Sequence, residues 1–204
     1  MGVSSGGGGT PGGQGGGGAG LGGAIFVRSG TLTLRDSTLI NNSTTAGTGF
    51  KDGSTAGGAI FVNTGAKADI TNTTFSGNQA IAGGALYNFQ GTTTLSNNTI
   101  VSNTASAAEF GGIFNKEGNL TLRNSIVAQN DGGNVGGPLT AANNNIIDVN
   151  VLGSVIANTL AVNGGATPTY ALLPGSALAI DKAGFGATTT GQRGAVAAGN
   201  RDIG

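Results

Sequence analysis

Apolar residues recur along residues 22–130 in four copies of one pattern. Each copy has an aliphatic–aromatic pair, a second aliphatic residue nine or ten positions later, a polar residue two positions after that, and then a further apolar residue and an asparagine. In chain order the pairs are Ile25-Phe26, Ile60-Phe61, Leu86-Tyr87 and Ile113-Phe114; the second aliphatic residues are Leu34, Ile70, Leu95 and Leu122; the polar residues are Asp36, Asn72, Asn97 and Asn124; the asparagines are Asn42, Asn78, Asn103 and Asn130. A repeat of about 26 residues predicts a solenoid with one coil per copy.

Alternation of apolar and polar residues within each copy predicts short β-strands. In the segment TLTLR, Leu32 and Leu34 would point inward, and Thr33 and Arg35 outward. The odd separation between Leu34 and the next inward residue, Leu39, requires a bend, and the Asp, Asn, Ser and Thr residues between these two slots favour one. The sequence therefore predicts an all-β fold with three short strands per coil, separated by corners.

Stacked coils would lie about 4.8 Å apart, so equivalent side chains would lie above one another. The first aliphatic residues would form an inner column, with the aromatic residues in a second column on the opposite face of the strand. Asn42, Asn78, Asn103 and Asn130 would form a ladder of side-chain amides, which carry both donors and acceptors. Replacing Asn42 by leucine is expected to cost about 1–3 kcal/mol.

One part of the repeat varies widely in length, the segment between each ladder asparagine and the next aliphatic residue, while the other spacings hardly change. The separations are 18 positions from Asn42 to Ile60, 8 from Asn78 to Leu86 and 10 from Asn103 to Ile113. All insertions are thus predicted on one edge of the solenoid, here called the seam, where solenoids often place binding elements. The candidate binding residues are Phe50, Lys51, Asp52, Glu109 and Phe110, and the alternative is that these are merely tolerated surface loops.

The pattern divides the chain into two parts. Residues 1–21 are a glycine-dominated leader that composition favours as a flexible linker, with an extended cap over the first coil as the alternative. Residues 22–204 are predicted to be one solenoid domain. After Asn130 the register loosens, and about residues 131–204 are predicted to form irregular coils and a cap.

Composition limits the possible chemistry. The formal net charge is zero and only 9% of residues are charged, so nucleic acid is not an expected partner. The chain contains no Cys and no His, which argues against a structural zinc site and against Cys or His catalysis, and no metal or other cofactor is expected. No segment has the pattern of a signal peptide or a membrane span, and we expect any signal or anchor to lie outside this segment.

The acidic residues of the chain bear on a possible enzymatic function. Glycoside hydrolysis needs two carboxylates facing each other, and Asp52 with Glu109 on the seam is the only pair to consider. Calcium motifs and a base that could activate a Ser or Thr nucleophile are absent from the sequence. An outward row of threonines is also predicted, at Thr33, Thr71, Thr94 and Thr121, and it raises the alternative of an ice- or glycan-binding face. The favoured explanation of the row is the ordinary preference of threonine for β-strands.

The GGAI and GGAL steps, followed by apolar-x-x-Asn in Phe75 to Asn78 and Ile100 to Asn103, resemble the polymorphic outer-membrane-protein repeat of bacterial surface and autotransporter passenger proteins. The tail NGGATPTYALLPGSALAIDKAG, followed by GQRG and RDIG, is similar to the closing segment of the choice-of-anchor Q family of secreted bacterial proteins, with one extra residue in GSALAID. These resemblances cover about residues 20–204. They imply a right-handed parallel β-helix of the pectin-lyase-like kind, displayed outside the cell, and they bring no catalytic residues.

Together these patterns predict a non-enzymatic structural or adhesive domain of a bacterial extracellular or cell-surface protein. Its partner would be a glycan or a protein, contacted through the seam loops. Two alternatives stay open: a carbohydrate-active enzyme, and a subunit that self-associates end to end into filaments through exposed strand edges.

Overall fold

The chain folds into stacked coils of parallel β-strands. The computed structural model describes residues 15–184, 187–194, 196 and 201–204. Within these residues there are 21 strands, β1 to β21 in chain order, and the first 19 form four parallel sheets. Each sheet takes one strand from each successive coil, which is the arrangement of a parallel β-helix. The predicted all-β solenoid is confirmed.

The bounds of the strands follow the coils. The seam sheet contains β1 (Gly20–Leu21), β5 (Thr55–Ala56), β9 (Gln79–Ala82) and β13 (Thr104–Glu109). The first sheet contains β2 (Ile25–Val27), β6 (Ile60–Val62), β10 (Leu86–Phe89), β14 (Ile113–Lys116) and β17 (Val135–Gly136). The second sheet contains β3 (Thr31–Arg35), β7 (Lys67–Thr71), β11 (Thr92–Ser96), β15 (Asn119–Arg123) and β18 (Ala141–Asn143). The third sheet contains β4 (Thr38–Ile40), β8 (Thr74–Ser76), β12 (Thr99–Val101), β16 (Ile126–Ala128) and β19 (Ile146–Ile147), and β20 (Ile156–Ala161) pairs antiparallel with β21 (Thr169–Leu172).

The number of strands per coil differs from the prediction. The three predicted strands correspond to the first, second and third sheets, and the structure adds a fourth strand in the seam sheet. Its strands run from two residues in β1 to six in β13. The repeat pattern did not predict this sheet, because its segments vary in length and have no fixed spacing from the rest of the repeat.

The predicted columns of side chains are confirmed by the register of the strands. In the first sheet Ile60 pairs with Ile25 and Leu86, and Leu86 pairs with Ile113. In the second and third sheets the second aliphatic residues and the following apolar residues are likewise in register. These columns fill the interior of the coils, where Phe75 is the largest fully buried side chain.

The asparagine ladder is present and runs in one direction. The backbone N–H and the side-chain Nδ2–H of each ladder asparagine both donate to Oδ1 of the asparagine in the following coil. The two distances are 3.0 and 2.8 Å from Asn42 to Asn78, 3.0 and 2.8 Å from Asn78 to Asn103, and 3.0 and 2.9 Å from Asn103 to Asn130. The ladder thus satisfies corner groups that are buried away from water.

Two further residues extend this ladder. Asn130 donates through N and Nδ2 to Asn134 Oδ1 at 3.0 and 2.8 Å, and Asn134 Nδ2 donates to Asp148 Oδ1 at 2.6 Å. The repeat did not predict Asn134 as a rung, because it follows Asn130 by only four positions, far less than a coil. The ladder therefore ends on a carboxylate.

The polar residues at the bend between the second and third sheets form a separate column. Asp36, Asn72, Asn97 and Asn124 all have positive φ, between 48 and 56°, and Asn144 continues the column at 52°. Asp and Asn tolerate this left-handed conformation better than other non-glycine residues, which explains their recurrence here. Asn72 Nδ2 also donates to Asp36 Oδ1 at 2.9 Å.

The glycine pairs of the repeat allow the backbone to turn between the seam sheet and the first sheet. The first glycine of the middle copies, Gly57 or Gly83, has φ of 65 or 59°. The second glycine lies against the backbone of the next coil: a Cβ on Gly84 would be 2.4 Å from the carbonyl oxygen of Thr104 and 2.5 Å from that of Gly111. The GG dipeptide is therefore required both for its conformation and for close approach.

Replacing Gly84 by alanine is expected to destabilise the protein by about 1–3 kcal/mol, because two backbone segments must move to admit the methyl group. Chemical denaturation followed by circular dichroism measures the change. Gly15 is the control, since its φ is not positive and its added Cβ would meet no atom within 4 Å. Equal losses at Gly84 and Gly15 would contradict the close-approach explanation.

The tail after the fifth coil packs along the outer face of the third sheet. Outward residues Val101, Ile126 and Ala128 form an apolar cluster with Ile156 and Ile203, among other tail residues. Sequence reasoning placed a cap here at the end of the solenoid, whereas the described tail lies against the flank. The outward face of the third sheet becomes apolar in the later coils, where the tail packs against it.

Hydrogen bonds also join the tail to the first two coils. Thr38 Oγ1 donates to the carbonyl oxygen of Pro168 at 2.6 Å, and Ser76 Oγ lies 2.8 Å from the Tyr170 hydroxyl oxygen. Gln192 Nε2 donates to the Ser37 carbonyl oxygen at 2.8 Å. One layer of tail therefore spans the first to the fifth coil.

Part of the leader belongs to the folded structure. Residues 1–14 lie outside the described residues, but β1 pairs with β5, and the Gly17 N–H donates to the Lys51 carbonyl oxygen at 2.8 Å. Residues 15–21 therefore lie along the long seam insertion, residues 43–56.

In the described ranges of the chain, no helix has the length and apolarity needed to cross a membrane.

Candidate functional site

The long seam insertion presents one exposed aromatic side chain and two charged residues. Phe50 is 77% exposed. Asp52 Oδ1 accepts the backbone N–H of Gly49 at 3.0 Å, so this carboxylate stabilises its own loop. Of the three residues predicted here, Phe50 and Lys51 are exposed without a side-chain bond among those described for the loop, while Asp52 has a structural contact.

The second seam insertion places its two predicted residues differently. Glu109 ends β13 and is in register with Ala82 in the seam sheet. Phe110 has φ of 54°, and its ring lies 5.6 Å from the ring of Phe114. A Cβ on Gly136 would meet the Phe110 ring at 2.0 Å, so this glycine makes room for the aromatic side chain. Phe110 therefore packs against the fold, and Glu109 stays on the exposed side of the seam.

An uncharged groove is lined by the start of the long insertion and by residues of β5, β9 and β13 in the seam sheet. Its volume is about 360 Å³. Its lining combines hydroxyl and amide side chains with apolar residues, and the polar members are Ser43, Thr44, Thr45, Thr55, Gln79 and Ser106. Thr55 Oγ1 accepts the Ile81 N–H at 2.8 Å, whereas the buried Thr44 Oγ1 has no partner among the described residues. The seam groove offers hydrogen-bonding groups without a formal charge.

Sequence reasoning did not find the residues of the seam groove. Gln79 follows a ladder asparagine, and Thr45 lies at the start of the long insertion, so neither has a position conserved in all copies of the repeat. Their only signal was that the variable segments share one edge.

Beside the groove, an aromatic column covers the outer face of the first sheet. Phe61 and Tyr87 stack with centroids 5.3 Å apart and planes 4° apart, and Phe26 lies 5.5 Å from Phe61. Phe61 and Tyr87 pack with Ala56 and Ala82 of the seam sheet, in a cluster separate from the interior core. The predicted placement on the opposite face from the inner column is confirmed. At the N-terminal end of this column Phe26 is 46% exposed.

The phenol of Tyr87 has an unusual environment. Desolvation by burial raises the pKa of Tyr87, and the negative charges of Glu109 and Glu117 raise it further. The neutral phenol is thus favoured in the folded protein. The resulting stabilisation is complete below the ordinary tyrosine pKa, about 10, and is lost as the pH rises through the higher folded-state value.

Replacing Glu109 by glutamine is expected to lower the pKa of Tyr87 without restoring its ordinary value, because desolvation is the larger cause. Ultraviolet titration of the phenol in a Tyr170→Phe background isolates the signal, since the chain has only two tyrosines. The control is Asp69→Gln, an exposed carboxylate on the second sheet. If Glu109→Gln left the Tyr87 titration unaltered, the proposed effect of the Glu109 charge on the phenol would be contradicted.

The acidic residues considered for catalysis are not arranged as a facing pair. Asp52 bonds within its loop, and Glu109 lies on β13, two strands away from β5 in the seam sheet. Two strand spacings amount to about 10 Å. Among the described residues, no group of three or more Asp, Glu, His or Cys could hold a metal ion.

The suggested threonine row is partly wrong. Thr33, Thr94 and Thr121 are in register, but the residue between Thr33 and Thr94 is Asp69. Thr71 instead pairs with Arg35 and Ser96. The inward residues Leu34 and Ile70 fix the register, so the outward residue before Ile70 must join the row. A carboxylate therefore interrupts the row.

A second cavity, of about 270 Å³, lies between the third sheet and the tail. Two of its polar side chains have hydrogen bonds across or beside the cavity: Thr74 Oγ1 donates to Gln192 Oε1 at 2.7 Å, and Arg201 Nη1 donates to the Thr189 carbonyl oxygen at 3.1 Å. These bonds attach the tail to the coils. The seam groove is the stronger candidate site.

Comparisons with protein-family models, with curated proteins and with solved structures found no match to this chain.

Proposed function

We propose that this chain is a non-enzymatic β-helix domain of a bacterial surface or secreted protein, which binds an extracellular glycan or protein through the seam. A neutral glycan is the partner that best suits the chemistry of the seam groove. The proposal includes an extracellular location, in agreement with the family resemblance of the repeat and the tail.

The observation that supports this function is the lining of the seam groove. Neutral sugars are recognised by hydrogen bonds to their hydroxyl groups and by apolar contacts to their C–H faces. Thr45, Gln79 and Ser106 offer the first kind of contact, Ala80 and Ile81 the second, and Phe50 is exposed on the same insertion. The groove carries no charged side chain in its lining, which disfavours a strongly ionic ligand.

Binding by a rigid scaffold also agrees with the rest of the architecture. The coils fix the position of the groove on strands of the seam sheet rather than on loops alone, so little ordering is needed when a ligand binds. Asp52 and Glu109 lie about two strand spacings apart, with Asp52 engaged in its own loop. Binding without bond cleavage is therefore the favoured role.

A panel of neutral and acidic oligosaccharides, screened on an array and measured by calorimetry, tests the proposal. We expect a neutral oligosaccharide to bind, and the double change Thr45→Ala, Gln79→Ala to weaken binding by about tenfold or more. The control is Thr33→Ala, which removes an exposed hydroxyl from the second sheet and should leave affinity unchanged.

Three results would count against the proposal. Binding that survives the double change would place the site elsewhere. New reducing ends or unsaturated products in the same panel would favour the carbohydrate-active enzyme. If no sugar binds, and a protein partner binds the unsubstituted chain but not the Thr45→Ala, Gln79→Ala variant, the glycan assignment is wrong and the seam is a protein contact.

A further inference from the structure

The asparagine ladder has two chemically different ends. Every rung donates toward the following coil, so the first rung, Asn42, has an Oδ1 that accepts no hydrogen bond from any described residue. At the other end Asn134 donates to the Asp148 carboxylate. An ionised carboxylate only accepts hydrogen bonds, so it cannot pass the ladder on to another coil.

Both ends of the coil stack also expose one layer of the interior columns. At the N-terminal end Ile25, Leu34 and Leu39 are half-buried, although Ile60 and Phe75 in the next coil are fully buried. At the C-terminal end Val135 and Ile147 occupy the same columns and are again half-buried. Within the described residues, the strands of the first and fifth coils are edge strands of the first, second and third sheets, and their outer sides pair with no further strand.

We infer that these two ends are matching surfaces for head-to-tail stacking of a second copy of this chain, and that the Asp148 carboxylate prevents the contact. In such a stack the columns would continue from Val135 to Ile25 and from Ile147 to Leu39 of the added copy. The free Asn42 Oδ1 of that copy would then face Asp148. Two acceptors would meet, and one of them carries a negative charge.

An amide at position 148 would remove this conflict. Its Oδ1 would accept from Asn134, as Asp148 does, and its Nδ2 would donate to Asn42 Oδ1 of the next copy. Each interior rung already makes this pair of contacts. The inference does not depend on the glycan-binding proposal, because the seam groove lies on the side of the coils and not at their ends.

Sedimentation of the full chain over a wide concentration range tests the inference. We expect Asp148→Asn to lower the dissociation constant for self-association by about tenfold or more relative to the unsubstituted protein. Electron microscopy of concentrated Asp148→Asn should show rods longer than one molecule. The matched control is Asp69→Asn, which removes the same charge from an exposed position on the second sheet and should behave like the unsubstituted protein.

A second variant identifies the contacting surface. Adding Leu34→Lys to Asp148→Asn places a charge at the N-terminal end, where partial exposure lets the side chain reach water, and should abolish the gain in association. Circular dichroism checks that both variants keep the β-rich fold before their association is compared. The inference is overturned if Asp148→Asn associates no more strongly than Asp69→Asn, or if Leu34→Lys leaves the association intact.

Discussion

Replacement of Asn103 by leucine is expected to lower the free energy of unfolding by about 3–5 kcal/mol, since several buried polar groups lose their partners together. Asn103 is fully buried and accepts both the N–H and the Nδ2–H of Asn78. Its own Nδ2 is within hydrogen-bond distance of Asn130 Oδ1 and of the carbonyl oxygens of Phe75 and Val101. Leucine has the same branched shape as the amide, although it is larger, and it can satisfy none of these groups.

The same substitution at Asn42 provides the control. Asn42 is half-buried and donates to Asn78, but no described residue donates to its side chain. Asn42→Leu should therefore cost about 1–2 kcal/mol, the lower part of the range expected from the sequence. Urea denaturation, followed by circular dichroism, gives both values under one set of conditions. Equal losses at the two positions would mean that the ladder acts through packing rather than through hydrogen bonds.

Phe75→Ala is expected to destabilise the protein by about 3–5 kcal/mol, because it opens a cavity in the interior. Phe75 lies in β8 and is the largest fully buried side chain among the described residues. Its neighbours in the column are Leu39 and Ile100, both aliphatic, and the fixed strand spacing limits how far they can collapse into the space. Thermal and urea unfolding measure the loss.

Phe50→Ala removes the same side chain from the seam, where it is 77% exposed, and should change stability by no more than about 0.5 kcal/mol. The pair of variants therefore separates interior packing from a general effect of losing an aromatic residue. A small loss at Phe75 would contradict the description of a closely packed interior.

The interior of the solenoid could be predicted because one physical constraint acts on every copy. Strands stack at a fixed spacing, so the residues above and below one another must be compatible, and this produces the recurrence of Leu34, Ile70, Leu95 and Leu122. The amide ladder followed for the same reason. At Asn42, Asn78 and Asn103 a side chain with both a donor and an acceptor is needed in each coil.

The seam sheet, the tail and the groove could not be predicted in the same way. Strands such as Thr55–Ala56 are two residues long, too short for alternation to identify. Described tail residues such as Pro168 and Gln192 contact Thr38 and Ser37, which lie 130 and 155 positions earlier in the chain, and no local pattern encodes such partners. The only local sign that a segment covers the third sheet was that its outward residues Val101, Ile126 and Ala128 are apolar.

The candidate site was predicted as a region and not as a set of residues. The length variation located the seam, but Asp52 and Phe110 proved to stabilise the fold, by a bond to Gly49 and by packing on Phe114. A charged or aromatic residue in an insertion attracts notice, whereas a hydroxyl such as Thr45 in a chain rich in threonine does not.

The tail on the third sheet changes how the molecule should come apart. In a simple solenoid each coil interacts only with its neighbours, so unfolding can begin at one end and stop partway. Here Thr38 Oγ1 donates to the Pro168 carbonyl oxygen and the Gly204 N–H donates to the Asn124 carbonyl oxygen, so distant coils are joined to one segment. Loss of the first coil by itself would also break its contacts with the tail, so partly unravelled intermediates are penalised and the domain should lose its structure in a more nearly all-or-none transition.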